Sequence, residues 1–181
     1  FKTGYSDWLD LSKLEVLDYT IRLNLKEGIL ERKMRFRDQD KRETSLLSRR
    51  ITCMHDPHVA GIEWTLIPEN WSGEITVRSG IDGNVSNNCV KRYRDLNGNH
   101  IDITGKGESD DNIIFLTSQT KQSQIIMAQA ATTNLYSNEK ILHPEYKVKH
   151  DEKSVWQEFR YSCSKLQPIK IEKIVSIYTI K

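Results

Sequence analysis

The 181-residue sequence predicts an all-β fold, a large antiparallel β-sandwich. The leading signal is a two-residue alternation of apolar and polar side chains, the period at which a strand presents its two faces. The second is the density of turn-forming residues between the alternating runs. The third is that no stretch of twelve residues carries a 3.6-residue period with caps. Sheets with one wet face alternate in this way, which favours antiparallel pairing.

In chain order, Ile21, Leu23 and Leu25 alternate with Arg22, Asn24 and Lys26. Leu30, Arg32, Met34 and Phe36 share one face of the next run, and Glu31, Lys33, Arg35 and Arg37 share the other. Asp38-Gln39-Asp40 supplies a turn. Ala60, Ile62, Trp64 and Leu66 alternate with Gly61, Glu63 and Thr65; Ile75, Val77 and Ile81 alternate with Glu74, Thr76, Arg78 and Asp82. Trp71-Ser72-Gly73, Asp82-Gly83 and Asn97-Gly98 tolerate the backbone angles of tight turns. The glycine- and acid-rich run from Gly105 to Asp111 reads as an exposed hairpin tip. Ile113–Leu116 and Ile125–Ala131 are apolar on both faces and read as central strands. Residues 137–153 read as a pair of loops. Val155, Phe159, Tyr161 and Cys163 line one face of a late strand, and Ile169–Ile180 is a long β-branched final segment.

Composition bounds what such a sandwich can do. The length suits one domain, residues 1–181, and a chain of this mass buries about 70% of its unfolded surface. Nineteen isoleucines and the aromatics exclude disorder. Lys and Arg number 27 against 25 Asp and Glu, a net charge of +2, so bulk charge gives no support to nucleic-acid binding. No run approaches the apolar length of a membrane span. Cys53, Cys89 and Cys163 are odd in number and widely spaced, which fits reduced thiols in the cytoplasm better than a disulfide framework or zinc site. The chain opens Phe1-Lys2-Thr3-Gly4, and its first methionine is Met34. The simplest reading is an excised segment of a longer protein.

Candidate chemistry is sparse. His55-Asp56-Pro57-His58 holds the only close histidine pair. Pro57 disfavours a helix there, and no third ligand is evident, so a structural turn is expected and no metal. Glu63, Glu69, Glu74 and Glu108 are available for the paired-carboxylate chemistry of glycoside cleavage, but sequence does not set two of them at a working distance. No nucleophile signature of the G-x-S-x-G kind occurs. Basic residues cluster between 22 and 50, ten against five acids, and again at Lys91-Arg92-Tyr93-Arg94; outward strand positions account for them more simply than nucleic acid does. Trp71, in a turn, is either a corner residue closing the core or an anchor for sugar or a partner surface.

An ordered set of phrases resembles one family. They are Leu17-Asp18-Tyr19, Gly28-Ile29-Leu30-Glu31-Arg32, Arg35-Phe36-Arg37-Asp38, and Met54 through Ala60. Thr65 through Gly73, Ile75 through Val85, and Arg92-Tyr93-Arg94-Asp95-Leu96 follow. Together they are similar to the N-terminal domain of glycoside hydrolase family 65, which includes maltose, trehalose and kojibiose phosphorylases and related hydrolases. The resemblance covers residues 8–136 well and the remainder loosely. Asp38-Gln39-Asp40-Lys41 departs from a turn that often carries Pro and Gly, and Cys89 stands where glycine is common.

That resemblance implies a super-sandwich of the galactose-mutarotase kind, whose first strands can lie outside this segment. It implies a non-catalytic domain that packs on an (α/α)6 catalytic barrel, absent here, and helps shape its entrance or a homodimer contact. No residue of this chain inherits a catalytic role. The parent enzyme would cleave an α-linked glucosyl disaccharide with inversion. Inorganic phosphate would be the co-substrate in a phosphorylase and water the nucleophile in a hydrolase, with no other cofactor. Trp71, Arg92, Tyr93 and Arg94 are the expected contacts to carbohydrate or the neighbouring domain. The face that docks on the barrel is expected to be an exposed apolar patch. The competing reading is a stand-alone carbohydrate-binding module, with Trp71 or Trp156 as its aromatic platform.

Overall fold

A computed structural model describes residues 1–4, 7–86, 98–109 and 112–180. Thirteen strands appear among them: β1 (Lys2–Thr3), β2 (Glu15–Asn24), β3 (Ile29–Arg37), β4 (Glu43–Thr52), β5 (Val59–Pro68), β6 (Gly73–Asp82), β7 (Ile101–Ser109), β8 (Ile113–Thr120), β9 (Ile126–Ser137), β10 (Lys140–Leu142), β11 (Lys147–His150), β12 (Ser154–Cys163) and β13 (Ile169–Ile180). Every pairing between them is antiparallel. They form two sheets, as the alternation predicts. The larger runs β2-β3-β4-β5-β13-β9-β8-β7, with β10 added on β9, and the smaller runs β1-β6-β12-β11.

The alternating residues decide which face is dry. On β5, Leu66 is fully buried, and its partners across the ladder are Leu46 of β4 and Ile169 of β13. On β6, Ile75 and Val77 point at the large sheet; on β12, Phe159 and Cys163 do the same. These residues, with Trp71, Leu135 and Ile171, make one core; Ile81, Ile114, Leu116, Ala131 and Val155 make a second, next to it. A one-residue slip of β13 would turn Ile169 and Ile171 outward and carry Lys170 and Glu172 into the core, so its register is strongly specified.

Two expectations need correction. Gly105, Lys106 and Gly107 do not form a hairpin tip; they lie inside β7. The ladder with β8 shifts between Ile103 and Gly105, a bulge. A Cβ on Gly105 would stand 2.8 Å from the Thr117 hydroxyl, and one on Gly107 would stand 3.2 Å from the Phe115 ring. The glycines record close approach to the neighbouring strand, not a turn. Residues 137–153 are likewise more than loops, because they carry β10 and β11. The predicted Asn97 turn, Cys89 and Arg92-Tyr93-Arg94 lie outside the described residues. The turn at Asp38-Gln39-Asp40 forms as read. The Asp38 carboxylate accepts from the amides of Asp40 and Arg42, both at 2.9 Å.

Gly80 is a second point of close approach. A Cβ there would meet Trp156 Cβ at 2.6 Å and the Val155 carbonyl at 2.8 Å, neither of which can rotate away. Gly80→Ala should therefore destabilise the sandwich by about 1–3 kcal/mol, the usual cost of overpacking. A lowered urea midpoint with an unchanged slope checks this.

Candidate functional site

The corner between β5 and β6 brings the first predicted contact residue into view. Trp71 is only 8% exposed. Its indole N–H donates to the Glu43 carbonyl at 3.1 Å and to the Thr44 hydroxyl at 3.0 Å. Beside it, the Asn70 side chain accepts from the Glu43 amide at 2.8 Å and donates to the Lys41 carbonyl at 3.1 Å. The ring thus closes the core and ties the corner to the start of β4. Of the other predicted contacts, Arg92, Tyr93 and Arg94 fall in the undescribed segment.

The outer face of the large sheet carries Arg35, Arg37 and Arg49 of the basic cluster, while Arg32 and Arg50 lie on the inner face with Tyr19 and Met34, against the expectation of outward positions throughout. Arg35 binds Glu43 and Glu69, each at 2.7 Å, and Arg37 binds Glu43 and Glu15, each at 2.7 Å. Ser45 also donates a short hydrogen bond to Glu69. Further along the same face, Arg49 reaches Glu31 at 3.3 Å and Glu63 at 3.6 Å, and Lys170 reaches Glu63 at 3.6 Å. Strand alternation and cross-strand carboxylates therefore account for these cations. Exposed pairs of this kind stabilise little one by one.

Of the four carboxylates singled out in the sequence, Glu69 and Glu63 are held by these cations and Glu74 by Arg160 at 3.6 Å. Glu108 lies on β7. The carboxylate that sequence reasoning missed is Glu172, directly across the ladder from Glu63. Like charges opposite one another repel; here Lys170 and Arg49 sit against Glu63, and the Tyr136 hydroxyl donates to Glu172 at 3.2 Å. Nothing in the sequence announces this pair, because β5 and β13 are more than a hundred residues apart.

The His55–His58 segment is a turn, as expected. His58 stacks on Tyr178 with ring centroids 4.1 Å apart, and its Nδ1 lies 2.8 Å from the Ile177 carbonyl. The loop docks onto the end of β13, where a shallow groove of about 740 Å³ opens between Ile29, Ile51, Met54 and Ile174 with Glu63 and Glu172 at its side. Met54 is 93% exposed. Ile51, Ile126, Ile174, Tyr178 and Ile180 are exposed on the same outer face, so the groove belongs to a larger apolar strip. Among the described residues, no group of three or more His, Cys, Asp or Glu side chains could hold a metal, and no helix is long and apolar enough to cross a membrane.

A third cluster sits on the outer face of the small sheet. The Arg78 guanidinium lies 4.1 Å from the centre of the Trp8 ring and 4.7 Å from that of Trp156. Glu158 receives Arg78 at 2.7 Å, Lys149 at 2.6 Å and the Trp156 indole at 3.1 Å. Trp156, the proposed platform, is thus half-buried against a paired arginine, an arrangement in which cation–π attraction and a charge-assisted hydrogen bond act on one group.

Comparison with known proteins identifies the fold these clusters decorate. The model of the glycosyl hydrolase family 65 N-terminal domain matches residues 2–181. The chain belongs to that family. An uncharacterized glycosyl hydrolase of Mycobacterium tuberculosis is 31% identical over 179 residues, 99% of this chain and 13% of the relative. A kojibiose phosphorylase of Halothermothrix orenii is 24% identical over 170 residues, 94% of this chain and 21% of the relative. An α,α-trehalose phosphorylase of Thermoanaerobacter brockii is 36% identical over 78 residues, 43% of this chain and 10% of the relative. A solved structure from the human microbiome, provisionally assigned as a kojibiose phosphorylase, superposes with a TM-score of 0.78 at 17% identity, over 95% of this chain and 20% of that one. The family-65 chain described here therefore spans less than a quarter of the length of these relatives.

Two chemical consequences follow from the geometry. The Arg37 hydrogen bond holds the Glu43 carboxyl below its ordinary value of 4.5. A depressed folded-state pKa gives stability that is present above the unfolded pKa and lost as pH falls through the folded one. Glu43→Gln should therefore flatten the loss of stability on acidification between about pH 5 and about pH 3, read from urea midpoints across that range. Burial pushes the Cys163 thiol up to about 12. In the native protein at about pH 8 it should stay unmodified by a disulfide reagent, since the thiolate is the nucleophile, and react only once urea unfolds the chain. Peptide mapping of the labelled cysteines checks this.

Proposed function

We propose that residues 1–181 act as one non-catalytic domain of a longer enzyme that cleaves an α-linked glucosyl disaccharide. The domain packs on the catalytic barrel and helps shape its entrance or a contact between two copies. Phosphorolysis, with inorganic phosphate as co-substrate, is the favoured reaction, because three of the relatives are named kojibiose phosphorylases and one a trehalose phosphorylase.

The observation that carries this reading is the apolar strip on the outer face of the large sheet. Met54, Ile51, Ile174, Tyr178 and Ile180 leave contiguous hydrocarbon in water, which in a soluble protein marks a contact surface. A polar ladder of paired arginines and glutamates borders it, as a rim borders an interface core. Within this reading Trp71 works from inside, holding the β5–β6 corner in shape. Arg92, Tyr93 and Arg94 remain the proposed direct contacts to the neighbouring domain or the sugar.

The test is release of glucose and glucose 1-phosphate from kojibiose, trehalose, maltose and nigerose, with and without phosphate, by the full-length parent and by residues 1–181 side by side. An active parent and an inert segment are expected, with glucose 1-phosphate appearing only when phosphate is present. Sugar release by the segment alone would overturn the accessory role. In the parent, replacing Met54 and Ile174 together by glutamate should uncouple the domains and split a single thermal transition into two.

A further inference from the structure

Charges on the outer face of the large sheet are shared unevenly. Glu63 of β5 and Glu172 of β13 stand directly opposite in the ladder, where like charges repel. Both cations beside them go to Glu63, which Arg49 and Lys170 each reach at 3.6 Å. Glu172 holds a neutral donor, the Tyr136 hydroxyl at 3.2 Å, and no described Lys or Arg pairs with it. Its other neighbours offer no charge. Asn134 of β9 stands across the second ladder, and the next outward residue along β13 is Ile174. Lys173 leaves through the opposite face, to the Gly80 carbonyl. The Lys170 ammonium is further engaged by the Tyr136 ring, 4.6 Å from its centre.

This carboxylate does not stand in open water. Glu172 is half-buried and borders the groove of about 740 Å³ with Ile51, Met54 and Ile174. Gly61 faces Ile174 in one ladder and Ile51 in the other, so the groove has a floor without a side chain. Hydrocarbon therefore runs up to the acid. An apolar surface laid on the groove would take water from Glu172 and leave a desolvated charge without a partner. A wholly apolar cover is opposed at this one point. A cover with a cation there is favoured twice, by attraction to Glu172 and by relief of its repulsion from Glu63.

We infer that Glu172 is the acidic anchor of the docking surface and receives a Lys or Arg side chain from the catalytic barrel of the parent enzyme. Apolar side chains around that cation fill the groove between Ile51, Met54 and Ile174, above Gly61. The inference rests on the proposed function, in which the strip lies against the barrel, and adds the chemistry of the surface that covers it. An acid set in hydrocarbon is complemented by a base set in hydrocarbon. Charge also selects the occupant, because an acidic or wholly apolar surface would leave Glu63 and Glu172 facing one another out of water. Arg49 and Lys170, already held by Glu63, form the polar rim beside the anchor.

Neutralising the anchor in the full-length parent separates the outcomes by sign. Glu172→Gln keeps the size of the side chain and a partner for the Tyr136 hydroxyl. With a barrel cation at the site it should lower the thermal midpoint by about 2 °C or more, and Glu172→Lys should lower it further. The loss should be larger at about 0.05 M salt than at about 0.5 M. Without such a cation, Glu172→Gln only relieves the repulsion from Glu63; an unchanged or raised midpoint would overturn the inference. In the Met54→Glu, Ile174→Glu background, where the domains are already apart, Glu172→Gln should have no further effect. A loss of the same size there would also overturn it, because Glu172 would then act within its own domain. So would a loss that disappears on dilution to monomer, since the cation would come from a second copy. A single transition kept by the Met54→Glu, Ile174→Glu parent would sink the docking reading itself. A split transition with an unchanged or raised Glu172→Gln midpoint would leave docking standing and remove the anchor alone.

Discussion

The structure hangs on the double-sided pairing of β13. Strands β2 to β5 form one meander and β7 to β10 another, and neither meander pairs with the other directly. β13 enters between them, matching eight residues of β5 on one edge and twelve of β9 on the other. Its inward residues Ile169 and Ile171 join the main core, and Val175 packs against the second. The last strand in sequence is thus the seam of the large sheet. A fold closed by so distant a pairing defers much of its stabilisation until long loops have been ordered, which makes assembly intrinsically slow.

The seam also organises the surface. On the outer side it places Lys170 and Glu172 against the ion pairs of β4 and β5, and Ile174, Tyr178 and Ile180 in the apolar strip that the His55–His58 turn closes. Polar and apolar halves of one face are therefore set by one strand, whose outward residues change from charged to hydrophobic along its length. On the inner side the same strand sends Lys173 across to the small sheet. A lysine drawn out of water is costly unless something accepts its protons, and the acceptor here is the Gly80 carbonyl of β6.

The sandwich has two kinds of uncovered hydrocarbon, and they differ physically. The outer strip lies on the outer face of the large sheet, where Tyr178 and Ile180 pair with β9 alone. The inner groove, lined by Phe1, Leu9, Tyr19, Met34, Leu46 and Trp64, lies between the two sheets.

Much of the fold could be read from residue order. The alternation in Ile75–Ile81, Ala60–Leu66 and Leu30–Phe36 named the strands and the faces they bury, because a side chain's face on a strand follows from local backbone geometry alone. The Asp38 turn was legible for the same reason, its hydrogen bonds being local. Gly105 and Gly107 were misread, because a glycine that makes room for Thr117 and Phe115 looks in sequence like one that makes a turn. The site was less legible still. That Glu63 faces Glu172, that Trp71 points inward to Glu43 and Thr44, and that Arg78 lies between Trp8 and Trp156 all depend on partners far along the chain. Local sequence determined which faces are apolar and hence the sandwich. Tertiary structure alone decided which of those faces are covered, because strand order and sheet width are set by long-range pairing.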